Sequence, residues 1–430
     1  MRQQWWAARL GVAGLYLFAA TAWLSTALAH AALAVMLLAM LLAGPDVWRV
    51  LAREPLCRLL GISALYVAFL LGRGAWLDPQ TLSDQAGAAS DWLKLWGFLL
   101  VAWWADSQKR VERALTVALV GFAVSLLAAI GKDGWFRLLD GSQWGFGRPA
   151  IASGLYTATA LLGMLMYFRR FIPNSRSYWT VIVGILLWCA LTGLFLQGVI
   201  ASQSRGTWLA AVIVFPPALL LRVRGHSPKA EKPMLWVGLL AFALAVAAIY
   251  LNLDSIAGRL AQDVPTLVRL LSEGLQGWEP ADSVAFRAHL YWVAWQNWPH
   301  HPWVGWGLAS TPGMIAQSDI EAIRQYQDLH SAYLEILVGM GLVGATLFLA
   351  GAWYVLRGLG RARRCGFLKR DTFLFLSATL ALNLVWGAFD FRMVHADWRF
   401  YWILFAGLSY AGAFHGREEN INDAPAITVR

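Results

Sequence analysis

Long apolar runs, rather than alternation, set the rhythm of this chain. Leu, Val, Ala, Ile and Phe accumulate with hardly a charge, and short polar connections carrying Arg, Lys, Asp or Pro separate the runs. Crossing the hydrocarbon core takes about 20 mostly apolar residues, fewer inside a bundle, so about twelve transmembrane helices are predicted. They centre on 10–28, 30–45, 59–72, 92–105, 112–130, 151–168, 178–197, 206–222, 234–251, 331–356, 371–389 and 399–414. The expected fold class is an all-α polytopic membrane protein with both termini on one side. The first run, MRQQWWAARLGVAGLYLFAA, has the make-up of a signal peptide. No small-residue cleavage site follows it, so it is expected to stay as the first helix.

One interval breaks the rhythm. Residues 252–330 form a connection far longer than usual, which points to function. SIAGRLAQDVPTLVRLLSEGL has a broken helical period that suits helices lying along a surface. SVAFRAHLYWVAWQNW is a second helical run, stopped by Pro299 and Pro302. The expected organisation is nine transmembrane helices in 1–251, a large outer loop with amphipathic helices in 252–330, helices ten to twelve in 331–415, and a cytoplasmic tail in 416–430.

Composition agrees with a membrane protein: 59% of the 430 residues are hydrophobic and 14% charged, against about a quarter charged in globular domains. A net charge of +10 would suggest nucleic acid in a soluble protein. Here most of the Lys and Arg fall on one set of connections, among them Arg49, Arg53 and Arg58, then Lys109, Arg110 and Arg113, then Arg357 to Arg370. That set is therefore cytoplasmic, no nucleic-acid partner is implied, and 252–330 lies outside. The 25 tryptophans suit an interfacial belt. Cys57, Cys189 and Cys365 fall in two cytoplasmic loops and a membrane helix, so no exported disulfide framework is expected.

The outer face carries the chemistry. In SQSRGTWLA, Arg205 stands where an outer loop enters a helix, and a guanidinium at a helix N-terminus makes an anion site. Arg287 sits on an aromatic helical run with Tyr291 one turn on. His330, in DLHSAYLEILVGMGLVG, begins the tenth helix, where the dipole and a neighbouring arginine should keep the imidazole neutral and able to act as a base. Glu335, five residues on, is a candidate to orient it, at an imperfect spacing. Arg148 in DGSQWGFGRPA, and Asp390 with Arg392 in GAFDFRMVHADWR, are weaker candidates. Adjacent His300 and His301 point apart and have no further ligand at sensible spacing, so no metal is expected there. There is no Walker loop, GxGxxG, CxxC or Asp-x-Asp signature, which leaves nucleotide-driven chemistry unsupported. Two or three arginine forks beside a histidine match a lipid-linked phosphate or pyrophosphate whose leaving charge is neutralised without Mg²⁺.

Three stretches resemble the O-antigen ligase family of Gram-negative envelopes: SRGTW at a helix start, FRAHLYWVAWQNWPHHPWVGWGL, and LHSAYLEILVGMGLVG after the long loop. The resemblance spans roughly 140–345 and implies an inverting, metal-independent glycosyltransferase of the inner membrane, working at its periplasmic side without a cofactor. The donor would be O-antigen on undecaprenyl pyrophosphate, the acceptor a sugar hydroxyl of lipid A–core, and membrane lipids the surroundings. Arg205 and Arg287 would bind the donor pyrophosphate, and His330 would activate the acceptor hydroxyl. Arg148 and Asp390 match less closely, since WGFGRPA departs from the glycine–asparagine–proline pattern of relatives. O-antigen polymerases and protein O-oligosaccharyltransferases belong to the same superfamily. The latter often carry an extra C-terminal domain, and here only a short segment follows residue 415. A lipid-linked glycan flippase would instead place its charges at mid-membrane in broken helices.

Overall fold

The computed structural model describes residues 2–77, 79–138, 140–171, 177–224, 231–274 and 283–415, and every regular element among them is helical. The expected tail, 416–430, lies outside the described residues. The first half comprises α1 (Arg2–Thr21), α2 (Thr26–Leu42), α3 (Pro45–Arg53), α4 (Pro55–Leu77), α5 (Leu82–Lys94), α6 (Phe98–Trp104), α7 (Gln108–Asp133), α8 (Ala150–Met166) and α9 (Tyr178–Ala201). The second comprises α10 (Arg205–Val223), α11 (Glu231–Leu251), α12 (Leu253–Glu273), α13 (Ser283–Asn297), α14 (Thr311–Ala316), α15 (Ala332–Arg364), α16 (Arg370–Trp386) and α17 (Ala396–His415).

Five of these, α4, α7, α9, α10 and α15, are long and apolar enough to cross a membrane. Counting each of two bent pairs, α2 with α3 (102°) and the end of α11 with α12 (70°), as one broken span gives an upper number of seven. The hydropathy reading of about twelve counted apolar runs without seeing where each helix starts and stops. The helices α8 and α16 have only 17 residues each. The run 92–105 divides among the end of α5, a 3₁₀ turn and the seven-residue α6. Asp397 and Arg399 open α17.

Burial explains these shorter helices. From Trp398 to Phe414 every residue of α17 except Trp402 is buried, so α17 is an axial helix packed by protein on all sides. Helix α8 is nearly as enclosed, with Ala152 to Leu162 buried. A helix apolar around its whole circumference needs such surroundings or lipid. The first apolar run is part of this core, with Leu15, Phe18 and Ala19 of α1 fully buried. Exposed rows such as Leu65 and Phe69 on α4, Val183 and Leu186 on α9, and Val212 and Ile213 on α10 form the outer apolar skin, as a lipid-facing surface requires. Cys57, Cys189 and Cys365 are free thiols.

The segment from α13 to the start of α15 has a small core of its own. Leu290, Val293 and Ala294 of α13 pack with Ile315, Ile323, Leu329 and Val338. One face of the aromatic run around Arg287 is thus a buried support, while Trp292 and Trp295 on the other stay exposed.

Candidate active site

The two motif stretches that follow Arg287 meet through their backbones. Helix α15 is broken at Gly341, whose φ of 63° and ψ of −168° no side-chain-bearing residue adopts readily. Residues 302–307 thread into the break. Trp306 N donates to Val338 O (2.8 Å) and Gly307 N to Gly339 O (3.0 Å), while Leu342 N and Val343 N donate to Pro302 O and Trp303 O. A Cβ on Gly341 would collide with the Trp303 carbonyl, and one on Gly305 would lie 2.5 Å from Gly339. From α4, Tyr66 Oη donates to Met340 O (2.6 Å) and Arg73 Nη1 to Gly305 O (2.9 Å). The carbonyls released by the break are therefore re-bonded, which matters where each unsatisfied group costs several kcal/mol. The short first section of α15, with His330 before it, is fixed by this strap.

His330 does not begin the helix. Ser331 is the N-cap, its hydroxyl accepting from Leu334 N, and His330 precedes it in the left-handed region with φ 50°. For a residue with a Cβ that conformation costs roughly 1–2 kcal/mol. Asp328 offsets this: its Oδ1 accepts the His330 N–H at 2.8 Å, a bond to a charged group contributing about 1.5–3 kcal/mol. The imidazole Nδ1 stands 3.4 Å from Asp390 Oδ1 and 3.7 Å from Asp328 Oδ1. Its side chain is 23% exposed, and that of Asp390 only 7%.

This geometry corrects two expectations. The acid that orients His330 is not Glu335, which accepts from Leu329 N and Thr311 Oγ1, both at 2.7 Å, and so ties α14 and the chain before His330 to α15. Nor is the imidazole biased toward neutrality. Burial lowers its pKa, but the Asp390 hydrogen bond and the charges of Asp328 and Asp390 outweigh burial and Arg287, and the net shift is upward. The dipole argument loses force because His330 sits outside the cap. Burial likewise raises the Asp328 carboxyl, against the pull of His330.

Arg287 is brought to the same place. Its charge lowers the pKa of His330 and acts on Tyr291 and Tyr326 as well. Tyr291 Oη donates to Ala388 O (2.9 Å) and His330 O (3.3 Å), pinning α13 to both strands of the site. The Tyr326 ring stands edge-on to His330, centroids 5.4 Å apart. Arg205 is the first residue of α10, as expected, behind a Ser204 cap that accepts from Thr207 N. The neighbouring Gly206 abuts Phe389, which is next in the chain to Asp390: the Phe389 Cβ would lie 2.8 Å from a Cβ placed on Gly206. Gln203, before the cap, accepts from Arg259 Nε of α12 at 2.7 Å.

Arg148 lies in an adjoining cluster. It donates to Trp23 O and Ser125 Oγ, and burial lowers its pKa against the charges of Tyr156 and Asp397. Asp397 accepts from Tyr156 Oη and Arg392 Nη2, both at 3.1 Å. His395 joins the two clusters, feeling Arg392 and Asp397 on one side and Asp328 and Asp390 on the other. Asp328, Tyr326, His395 and Asp397 were missed in the sequence. The D-x-H spacing at 328–330 and the polar residues at 390, 392, 395 and 397 were the available signals.

Asp328, His330 and Asp390 also offer ligand atoms all within 4.8 Å of one another, a spacing that could hold a cation. The Arg287 charge beside them works against a divalent ion and in favour of an anion.

No curated protein matches the chain. A family model described as O-antigen ligase matches residues 190–349. The matched region runs from the end of α9 through Arg205, Arg287, the strap and His330 into α15. Over residues 190–349, which hold Arg205, Arg287 and His330, this chain is thus similar to the O-antigen ligase family.

Proposed function

We propose that the protein transfers an O-antigen glycan from undecaprenyl pyrophosphate to a sugar hydroxyl of lipid A–core, at the periplasmic face of the inner membrane. The observation that carries this reading is His330, held between Asp328 and Asp390 with Arg287 alongside. With Nδ1 engaged by Asp390, the other ring nitrogen, Nε2, is the one left to take a proton, and the carboxylates make it a stronger base than an isolated imidazole. Arg287 and Arg205 supply bidentate donors for the pyrophosphate. As the acceptor oxygen attacks the anomeric carbon, its proton passes to His330, the sugar–phosphate bond breaks, and the pyrophosphate leaves with its charge held by the arginines. Direct attack inverts the anomeric configuration. The membrane helices and the family support the coarse reading, a membrane glycosyltransferase of this superfamily. The donor, acceptor and orientation are this proposal's own.

Purified protein reconstituted with lipid-linked O-antigen tests it, offered lipid A–core in one arm and a lipid-linked glycan in the other. Product on lipid A–core, with chelator present and no ATP, is expected. Product only on the lipid-linked glycan would make the protein a polymerase, and activity abolished by chelator would turn the Asp328–His330–Asp390 cluster into a cation site.

A further inference from the structure

An open cleft of about 940 Å³ lies between α4, α5 and α13 and the chain leading into and out of α14. That volume is at the upper end of small-molecule sites, roughly 300–1,000 Å³. Its walls hold amides, hydroxyls and indoles. Trp292, 45% exposed, presents a flat face, and Gln296 and Gln317 present free-standing amides. Gln85 differs from these in being only 6% exposed. Its Nε2 donates to Thr81 Oγ1 at 2.7 Å, yet its Oε1 has no hydrogen-bond partner among the described residues. Gly74, opposite on α4, leaves room for that amide, since any side chain there would overlap it. That oxygen is sealed against the Gly74 backbone, so the polar groups open to a ligand are the Gln296 and Gln317 amides beside the Trp292 face.

The cleft leads toward the histidine. Gln327, Leu308, Ala309 and Pro312 line both it and a smaller pocket bounded by Glu335 and Phe391. Gln327 is next in the chain to Asp328, and Phe391 is next to Asp390.

We propose that this cleft binds the sugar rings of a glycan substrate, with the Trp292 face as a stacking platform and the Gln296 and Gln317 amides as hydrogen-bond partners for sugar hydroxyls. Aromatic faces and amides in one groove are suited to a ring that is apolar on its C–H face and hydroxylated at its rim. The inference rests on the glycosyl-transfer reading for its ligand but concerns binding, and binding can be measured apart from transfer.

The full-length protein in nanodiscs is titrated with delipidated core oligosaccharide, and separately with O-antigen polysaccharide released from its lipid. Inorganic pyrophosphate serves as the control probe. Saturable binding of at least one glycan by the wild type is expected, weakened at least tenfold by Trp292→Ala and by Gln317→Ala, with pyrophosphate binding unchanged. The glycan that responds names the source as acceptor or donor. No saturable binding of either glycan, or binding indifferent to these substitutions, overturns the proposal. Because transfer is never read, loss of the glycosyltransferase reading would leave this result standing, and the reverse also holds.

Discussion

His330 and Asp390, 60 positions apart in the chain, meet with Nδ1 3.4 Å from Oδ1 where the turn before α15 touches the turn after α16. Asp390→Asn removes the largest influence that raises the imidazole pKa, leaving burial and Arg287 to lower it against Asp328 alone. A base works only when unprotonated, so transfer by the wild type falls as pH drops through the raised pKa. In Asp390→Asn the acid limb moves to lower pH, while the maximal rate falls about 10²–10⁴-fold from a weaker, poorly aimed base. A pH–rate profile of both proteins checks this, and an unshifted limb would remove Asp390 from the mechanism.

Asp328 holds the left-handed backbone of His330 as well as facing its ring. Asp328→Ala is expected to lower stability by about 1.5–3 kcal/mol, read as a drop in the melting temperature of the detergent-solubilised protein. Asp328→Asn keeps an acceptor for the His330 N–H and should recover most of that loss, yet still move the acid limb of the pH profile downward. A variant that recovers stability and leaves the profile unchanged would confine Asp328 to a structural role.

Arg287→Lys retains charge near His330 but loses the planar fork. Transfer should fall roughly 10- to 100-fold, as expected when about 1–3 kcal/mol of charge-assisted bonding is lost, with the loss borne by donor and not acceptor dependence. Arg205→Lys should behave alike. Kinetics at varied donor and fixed acceptor provide the comparison.

The strap across α15 predicts a stability effect far from any ligand. Gly341→Ala places a Cβ against the Trp303 carbonyl at a backbone conformation open essentially to glycine, a strain of order 1–3 kcal/mol before the collision is counted. Expression of folded protein should drop sharply. Tyr66→Phe, which removes the hydroxyl shared by Met340 O and Val304 O, should cost about 1–3 kcal/mol and leave the fold intact. Thermal unfolding in detergent ranks the two, and equal stability of both with wild type would mean that the strap does not hold α15.

Much of the site was legible because its residues are chemically out of place in apolar surroundings. Arg205 at a helix start and Arg287 one turn from Tyr291 stand where the motifs put them. The partners of His330 were harder to see. Asp390 comes from 60 residues away, and the nearer Glu335 has the right charge but turns to Leu329 and Thr311. Only the fold distinguishes these two carboxylates. The break at Gly341 was hidden for a related reason: VGMGLVG reads as a small-residue stretch of one long apolar helix, and the loop that opens it lies some forty residues earlier, in WVGWG. Among the described residues five to seven helices are long and apolar enough to span, against twelve apolar runs read from hydropathy. A buried axial helix such as α17 shares an uncharged middle with a lipid-crossing one.

The central claim, that His330 takes the proton of the attacking hydroxyl, is tested most directly by His330→Ala in proteoliposomes with lipid-linked O-antigen and lipid A–core, after its melting temperature has been matched to wild type. The expected result is intact binding of the donor and loss of glycan on lipid A–core by about 10²-fold or more. Transfer at the wild-type rate by the folded variant would contradict the account.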